Sequence, residues 1–317
     1  MKKITPHTLL LAEPRGFCAG VVRAIEVLNY LLDHEKPPIY SYHEIVHNTY
    51  IVENFKKRGV IFTDAINEVP EGARIVFSAH GISPLIMQQA KNKKLKIIDA
   101  TCPLVTKVHL ETKKAAKDGY DILLVGHRGH DEVEGTLGEA PQQTTVVDSI
   151  EEVNTLNVKS EKIFVVTQTT LSVDDTHDII ENINSKFPAA EIRNDICYAT
   201  TNRQAAVKEL AKKADLILVV GSPNSSNSVR LMEHARSAGV TAYRIEGIEE
   251  IEEKWFNNVD IVGLTAGASV PDELLDPIIN SLMAKGIEKI DTITVAQETV
   301  EFKPPNDLPI PRRTLTQ

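Results

Sequence analysis

Gly16-Phe17-Cys18-Ala19-Gly20, Ala100-Thr101-Cys102-Pro103-Leu104 and Asp195-Ile196-Cys197-Tyr198-Ala199 carry the only three cysteines of the 317-residue chain, 84 and 95 residues apart. Each opens a stretch with apolar residues at helical spacing. After Cys18 come Val21, Ala24, Ile25, Leu28, Leu31 and Leu32; after Cys102, Val105, Val108, Ala115 and Ala116; after Cys197, Ala205, Ala206, Leu210 and Ala211. Each helix leads into a short apolar run (residues 38–40, 121–125 and 215–220), which reads as a buried parallel strand. A polar loop follows at a near-constant distance from the cysteine: His47 after 29 residues, His130 after 28 and Asn227 after 30. A related phrase recurs at 64–69, 148–153 and 246–251. A second strand then ends in Ser78-Ala79-His80-Gly81, Thr167-Gln168-Thr169-Thr170 or Thr265-Ala266-Gly267-Ala268-Ser269. Helix-start signals come next: Ser83 before Pro84, Ser172 before Asp174 and Asp175, Pro271 before Asp272 and Glu273.

Three copies of one strand–helix unit predict an α/β fold of parallel sheets, with units at 13–98, 99–193 and 194–290. An N-terminal strand (1–12) is expected to pack on the third unit. A C-terminal tail (291–317), marked by Pro304, Pro305, Pro309 and Pro311, is expected to run over the surface. Ligands gather at the carboxyl ends of parallel strands, where all the polar phrases and the cysteines fall. The three units should therefore face a common centre.

Composition narrows the function. The net charge is −9 with no long basic run, which argues against nucleic acid as a partner. No apolar stretch approaches a membrane span, and the run at 9–12 is too short for a signal peptide. A reducing cytoplasmic setting follows, in which widely spaced cysteines serve metal or catalysis rather than disulfides. A thiolate at a helix start is favoured by the helix dipole, which is expected to lower its pKa. Structural zinc uses four ligands, usually in local pairs. Three soft ligands without any CxxC fit better an iron–sulfur cluster that keeps one iron without a cysteine. Cysteines are also common as inert core residues, but recurrence in three matching units argues against that reading.

His43-Glu44-Ile45-Val46-His47 spells the HExxH of zinc proteases, which requires a helix. Here it follows a strand-like stretch and contains β-branched Ile45 and Val46, so the match is discounted. Gly126-His127-Arg128-Gly129-His130-Asp131-Glu132 joins histidines, glycines and carboxylates in one loop. Glu132, if buried near a metal, could carry protons. Gly221-Ser222-Pro223-Asn224-Ser225-Ser226-Asn227-Ser228 and residues 265–269 offer small donors in front of helices, as an anion cradle does. No GxxxxGK[ST] loop is present, so a nucleoside triphosphate is not indicated.

Several of these strings, GFCAGV (16–21), HEIVHN (43–48), SAHG (78–81), DATCPLVTK (99–107), TQTTLSVDD (167–175) and DICYATTNRQ (195–204), resemble the 4-hydroxy-3-methylbut-2-enyl diphosphate reductase family, in order over roughly residues 10–280. The resemblance implies a trefoil of three α/β units around a central 4Fe–4S cluster held by Cys18, Cys102 and Cys197. It implies diphosphate binding by His47, His80, His130, Ser225, Ser226, Asn227 and Ser269, with Glu132 as proton donor assisted by Thr169 and His130. The reaction implied is the last step of the methylerythritol phosphate route, giving isopentenyl and dimethylallyl diphosphate. Electrons would come from a ferredoxin- or flavodoxin-type donor, for which Lys91, Lys93, Lys94 and Lys96 form one candidate docking patch. A non-enzymatic iron–sulfur sensor or carrier and a zinc-dependent hydrolase are the alternatives.

Overall fold

The computed structural model describes residues 6–158, 160, 162–305, 308 and 309. The chain enters through β1 (Thr8–Glu13) and turns at Cys18 into α1 (Ala19–His34). There follow β2 (Ile39–Tyr42), α2 (Thr49–Lys57), β3 (Val60–Thr63), β4 (Arg74–Phe77), α3 (Pro84–Asn92) and β5 (Lys96–Asp99). Cys102 leads into α4 (Pro103–Lys117), then β6 (Asp121–Val125), α5 (Asp131–Leu137), β7 (Thr144–Val147), α6 (Ile150–Thr155), β8 (Ile163–Thr167), α7 (Val173–Lys186) and β9 (Glu191–Ile192). Cys197 leads into α8 (Tyr198–Ala211), then β10 (Leu216–Val220), α9 (Ser226–Ser237), β11 (Thr241–Ile245), β12 (Ile261–Ala266), α10 (Asp272–Ala284) and β13 (Lys289–Thr294).

Three all-parallel sheets result, ordered β3-β2-β4-β5, β7-β6-β8-β9 and β11-β10-β12-β1-β13. The first four strands of each sheet correspond, and the correspondence is cyclic. β1 holds in the third sheet the place that β5 and β9 hold in the first and second. Every cysteine therefore sits at a crossing, where the fourth strand of one sheet hands the chain to the first helix of the next unit. β8 and β10 are buried along their whole length, as continuous apolar strands covered on both faces must be. Helix α1 turns Ala24, Val27, Leu28 and Leu31 into the first core. Val27, Leu28 and Leu31 each contribute about 1.5–3 kcal/mol by leaving water.

The ends of the chain differ from the expectation. The first strand does not merely pack on the third unit; it pairs inside that sheet, Leu10 with Gly263 and with Asp291. Ordered sheet continues past residue 290, because β13 pairs with β1 through Thr294 opposite Glu13. Asp291, Thr292 and Thr294 gave no apolar signal because β13 is an edge strand, largely open to water. Beyond it the described part of the tail runs along the surface, mostly exposed or half-buried, and is pinned at two points: Glu298 meets Arg203, and Leu308 is buried in the first core. Pro311 and residues 1–5 lie outside the described residues. Among the described residues no helix is long and apolar enough to cross a membrane.

Candidate active site

Each cysteine is the N-cap residue of the helix it opens, α1, α4 or α8. The helices converge closely enough that only glycine fits between them at one point. A Cβ on Gly20 would stand 2.7 Å from Cys102 Sγ and 3.9 Å from Cys18 Sγ. Cys197 Sγ is the third sulfur; it accepts the Thr200 N–H (3.4 Å) and lies 3.2 Å from Thr200 Oγ1.

Cys102 and Cys197 do not have the low pKa expected of helix starts. Burial, together with the charge of Cys18, pushes Cys102 up to about 12 and Cys197 up to about 11. The helix N–H groups oppose this, but desolvation and like-charge proximity outweigh them. For these three partly buried sulfurs to be thiolates together, a cationic, sulfur-loving group must stand between them, and the donor set fits a soft metal or an iron–sulfur cluster.

Across the cavity lie the histidines. HEIVH is a loop, as its β-branched residues required, with His43 at φ 60°. His47 and His80 stack at 4.0 Å, and His130 meets both edge-on at 5.2 and 5.8 Å. Burial and the neighbouring imidazoles hold His80 well below its ordinary pKa and His130 down at about 3. Both rings are therefore neutral near pH 7. His130 Nδ1 accepts the Glu132 N–H (3.1 Å), so its ring proton is on Nε2. Asp131, given no role from the sequence, stands among them: its oxygens lie 3.7 Å from His43 Nδ1, 3.7 Å from His47 Nε2 and 3.9 Å from His80 Nδ1.

Glu132 is only 2% exposed. Its carboxylate accepts the Thr169 N–H (2.6 Å) and the Thr169 hydroxyl (3.0 Å). Burial pushes its pKa up to about 7, against the downward pull of those two hydrogen bonds. Such a carboxyl can keep a proton near neutrality and give it up on demand.

The third unit supplies neutral polar groups. Ser225 caps α9 by accepting the Ser228 N–H (3.4 Å), and Ser226 Oγ donates to Thr170 O (3.2 Å). Ser269 Oγ donates to His47 O (2.9 Å), stitching the third unit to the first. Asn227 is buried, and neither its Oδ1 nor its Nδ2 has a partner among the described residues. An unpaired buried amide costs about 1–3 kcal/mol, so the geometry calls for a polar ligand there.

Every site residue expected from the sequence lines this one cavity: the three cysteines, His47, His80, His130, Glu132, Thr169, Ser225, Ser226, Asn227 and Ser269. Sequence reading missed Asp131, Thr200 and Arg203. Thr200 was visible in principle as the residue three after a capping cysteine. Arg203 was not, since an arginine on a helix ordinarily marks a wet face. Here it is fully buried, donating to Gly16 O (2.7 Å) and Phe17 O (3.3 Å) in the loop that presents Cys18.

The family described as LytB protein matches residues 9–283. The chain is 48% identical over 313 residues to the 4-hydroxy-3-methylbut-2-enyl diphosphate reductase of Nocardia farcinica, covering 98% of this chain and 93% of that one. It is 47% identical over 308 residues to the reductase of the same name from Histophilus somni, covering 95% and 98%. In three dimensions it is similar to the E-1-hydroxy-2-methyl-but-2-enyl-4-diphosphate reductase from Plasmodium falciparum, with a TM-score of 0.93, 41% identity and 96% of each chain covered. A second solved structure, (E)-4-hydroxy-3-methyl-but-2-enyl diphosphate reductase, matches with a TM-score of 0.64 at 34% identity, covering 88% of this chain and 99% of that one. On the residues matched and the shared three-sheet architecture, the chain belongs to the LytB protein family.

Proposed function

We propose that the chain reductively dehydroxylates 4-hydroxy-3-methylbut-2-enyl diphosphate to isopentenyl and dimethylallyl diphosphate, closing the methylerythritol phosphate route in the cytoplasm. The allylic hydroxyl leaves as water while two electrons and two protons are taken up. The carrying observation is the single cavity that joins three convergent cysteines to a carboxyl whose pKa is raised to about 7. The relatives' names agree with it.

Cys18, Cys102 and Cys197 would hold a 4Fe–4S cluster with one iron free of cysteine. When bound, that cluster supplies the electrons and a Lewis-acidic centre. His47, His80, His130, Ser225, Ser226, Asn227 and Ser269 bind the diphosphate, with N–H and O–H donors in place of lysine or arginine. The start of α9, whose Ser226 and Asn227 line the cavity, adds backbone N–H groups and the positive end of its dipole. Glu132 gives its proton toward the departing hydroxyl, and Thr169 fixes the carboxyl in place. Burial excludes water from the reacting centre. Electrons enter from a ferredoxin- or flavodoxin-type protein.

Anaerobic reduction of the allylic diphosphate with an artificial donor tests this reading directly; no product would end it. A zinc-dependent hydrolase has one observation in its favour. His47, His80 and Asp131 offer ligand atoms within 4.8 Å of one another. It leaves the cysteines idle. Metal analysis separates the two: iron and sulfide at about four each per chain support the cluster, and zinc alone supports the hydrolase. A sensor or carrier would leave the unpaired Asn227 amide without a purpose.

A further inference from the structure

The reaction just proposed consumes two electrons per turnover, so a route to the half-buried cysteines from outside must exist. The sequence holds no Gly-x-Gly-x-x-Gly that would bring a dinucleotide to the site. Electron transfer through protein weakens steeply with distance, so the surface that matters is the one nearest a cysteine.

Cys102 is flanked by Thr101 and Pro103, and both line an external groove of about 480 Å³. Arg23, Lys107, Leu110 and Lys114 complete much of its wall. Arg23 is anchored by donating to Thr101 O (2.9 Å) and to Lys303 O (2.8 Å), which sets a cation beside the cysteine segment. The rest of the surface is the outer face of α4, the helix that Cys102 opens. Its exposed residues are Thr106, Lys107, Leu110, Lys113, Lys114 and Lys117, a single stripe at helical spacing that stops at exposed Asp118; Lys107 is engaged by Asp195 (2.9 Å), so Lys113, Lys114 and Lys117 carry the charge the stripe presents. Glu111, at the edge of the stripe, is partly buried and turned to Lys107 (3.7 Å). Leu110 is 62% exposed in the middle of the stripe. The helix dipole favours cations at Lys114 and Lys117 in the last turn, but it gives no reason for Lys113 or for the open leucine.

On a chain of net charge −9, this is a basic island around an apolar contact, and it starts at a cysteine. We infer that the outer face of α4, with the groove beside Thr101 and Pro103, is the docking surface for the electron donor, a small acidic one-electron carrier protein. The inference rests on the reductase reading above. Charge complementarity selects the partner: an acidic carrier is repelled by most of this molecule and drawn to one face, which orients it over Cys102. Leu110 supplies the apolar contact at the centre of the footprint. Two dockings serve one turnover, each carrier molecule being oxidised by one electron.

The lysines at 91, 93, 94 and 96 are less suited. They cluster at the start of β5, whose opposite end leads to Cys102. Two are already engaged, Lys93 with Asn67 O (2.8 Å) and Lys94 with Glu71 (2.8 Å).

The test uses the whole, cluster-loaded protein with two electron sources, a reduced acidic plant-type ferredoxin and reduced methyl viologen. The triple variant Lys113→Glu/Lys114→Glu/Lys117→Glu leaves every residue of the cavity in place. With ferredoxin its kcat/KM should fall about tenfold or more, and the wild-type decline in rate from about 0.05 to about 0.3 M salt should flatten. With viologen its rate should not fall. Lys91→Glu/Lys94→Glu should behave as wild type with both donors. An unchanged ferredoxin rate in the triple variant overturns the proposal, as does a loss confined to the Lys91/Lys94 variant. So does an equal loss with both donors, which would assign the stripe to folding. Failure of the wild-type protein to turn over with viologen is a separate result and counts against the reductase reading instead.

Discussion

Glu132 shows how burial sets a chemical role. A carboxyl in water loses its proton near pH 4; this one, 2% exposed, holds it to about 7. A proton donor of this kind works below its pKa, so turnover should decline as pH rises through about 7. The pH profile of kcat with a small-molecule donor checks this, and a flat profile from about pH 6 to about pH 8.5 would remove Glu132 as the acid. Glu132→Gln preserves shape and loses the proton. Turnover should drop about a hundredfold or more while cluster content and substrate binding persist. Cys102 is the matching case among the proposed ligands. Cys102→Ser replaces a soft donor with a hard one and should lose most of the iron and the brown chromophore; full iron content would contradict its assignment.

Among the elements, α8 has the widest reach. Cys197 opens it, and Arg203, two turns on, reaches across to the carbonyls of Gly16 and Phe17. The same guanidinium pairs with Glu298 from the chain beyond β13 (2.9 Å). One helix thus ties the third unit, the Cys18 loop and the C-terminal segment together. Arg203→Leu would strand a partly buried carboxylate and two loop carbonyls. It should cost about 3–5 kcal/mol in urea unfolding and loosen iron retention, with Glu298→Gln milder on both counts. This arrangement was not legible in the sequence. Helical periodicity marks apolar faces, and an arginine among Ala199, Ala206 and Leu210 carries no sign of being inside. β13 escaped for the opposite reason, since a half-wet edge strand lacks the apolar run that betrays a central one. What was legible followed from repetition: Cys18, Cys102 and Cys197 with His47, His130 and Asn227 at matching offsets already imply one centre.

At the scale of the molecule, three units bring neutral imidazoles to a place where a polyanion is proposed to bind. His80 and His130 are held below their ordinary pKa by burial and by the imidazoles beside them. A diphosphate reverses the local field and favours the charged imidazoles. Inorganic pyrophosphate should therefore bind with net uptake of protons near pH 7. Calorimetry in two buffers of different ionisation enthalpy measures that uptake; zero or negative linkage would contradict it. The thiol pKa values teach the same lesson from the other side. Helix starts alone suggested acidic cysteines, yet how close the sulfurs stand, and how dry, belongs to tertiary packing that spacing along a chain does not report.

The place of β1 in the third sheet has a consequence for how the protein is made. Its partners are β12 and β13, so β1 waits without either of them until the last strands of the third unit have left the ribosome. The first and second sheets can close as they emerge, whereas the third cannot. Cys18, fastened to that waiting strand, joins the other two sulfurs only at the end. The proposed three-cysteine site is thereby left incomplete until the third unit is made.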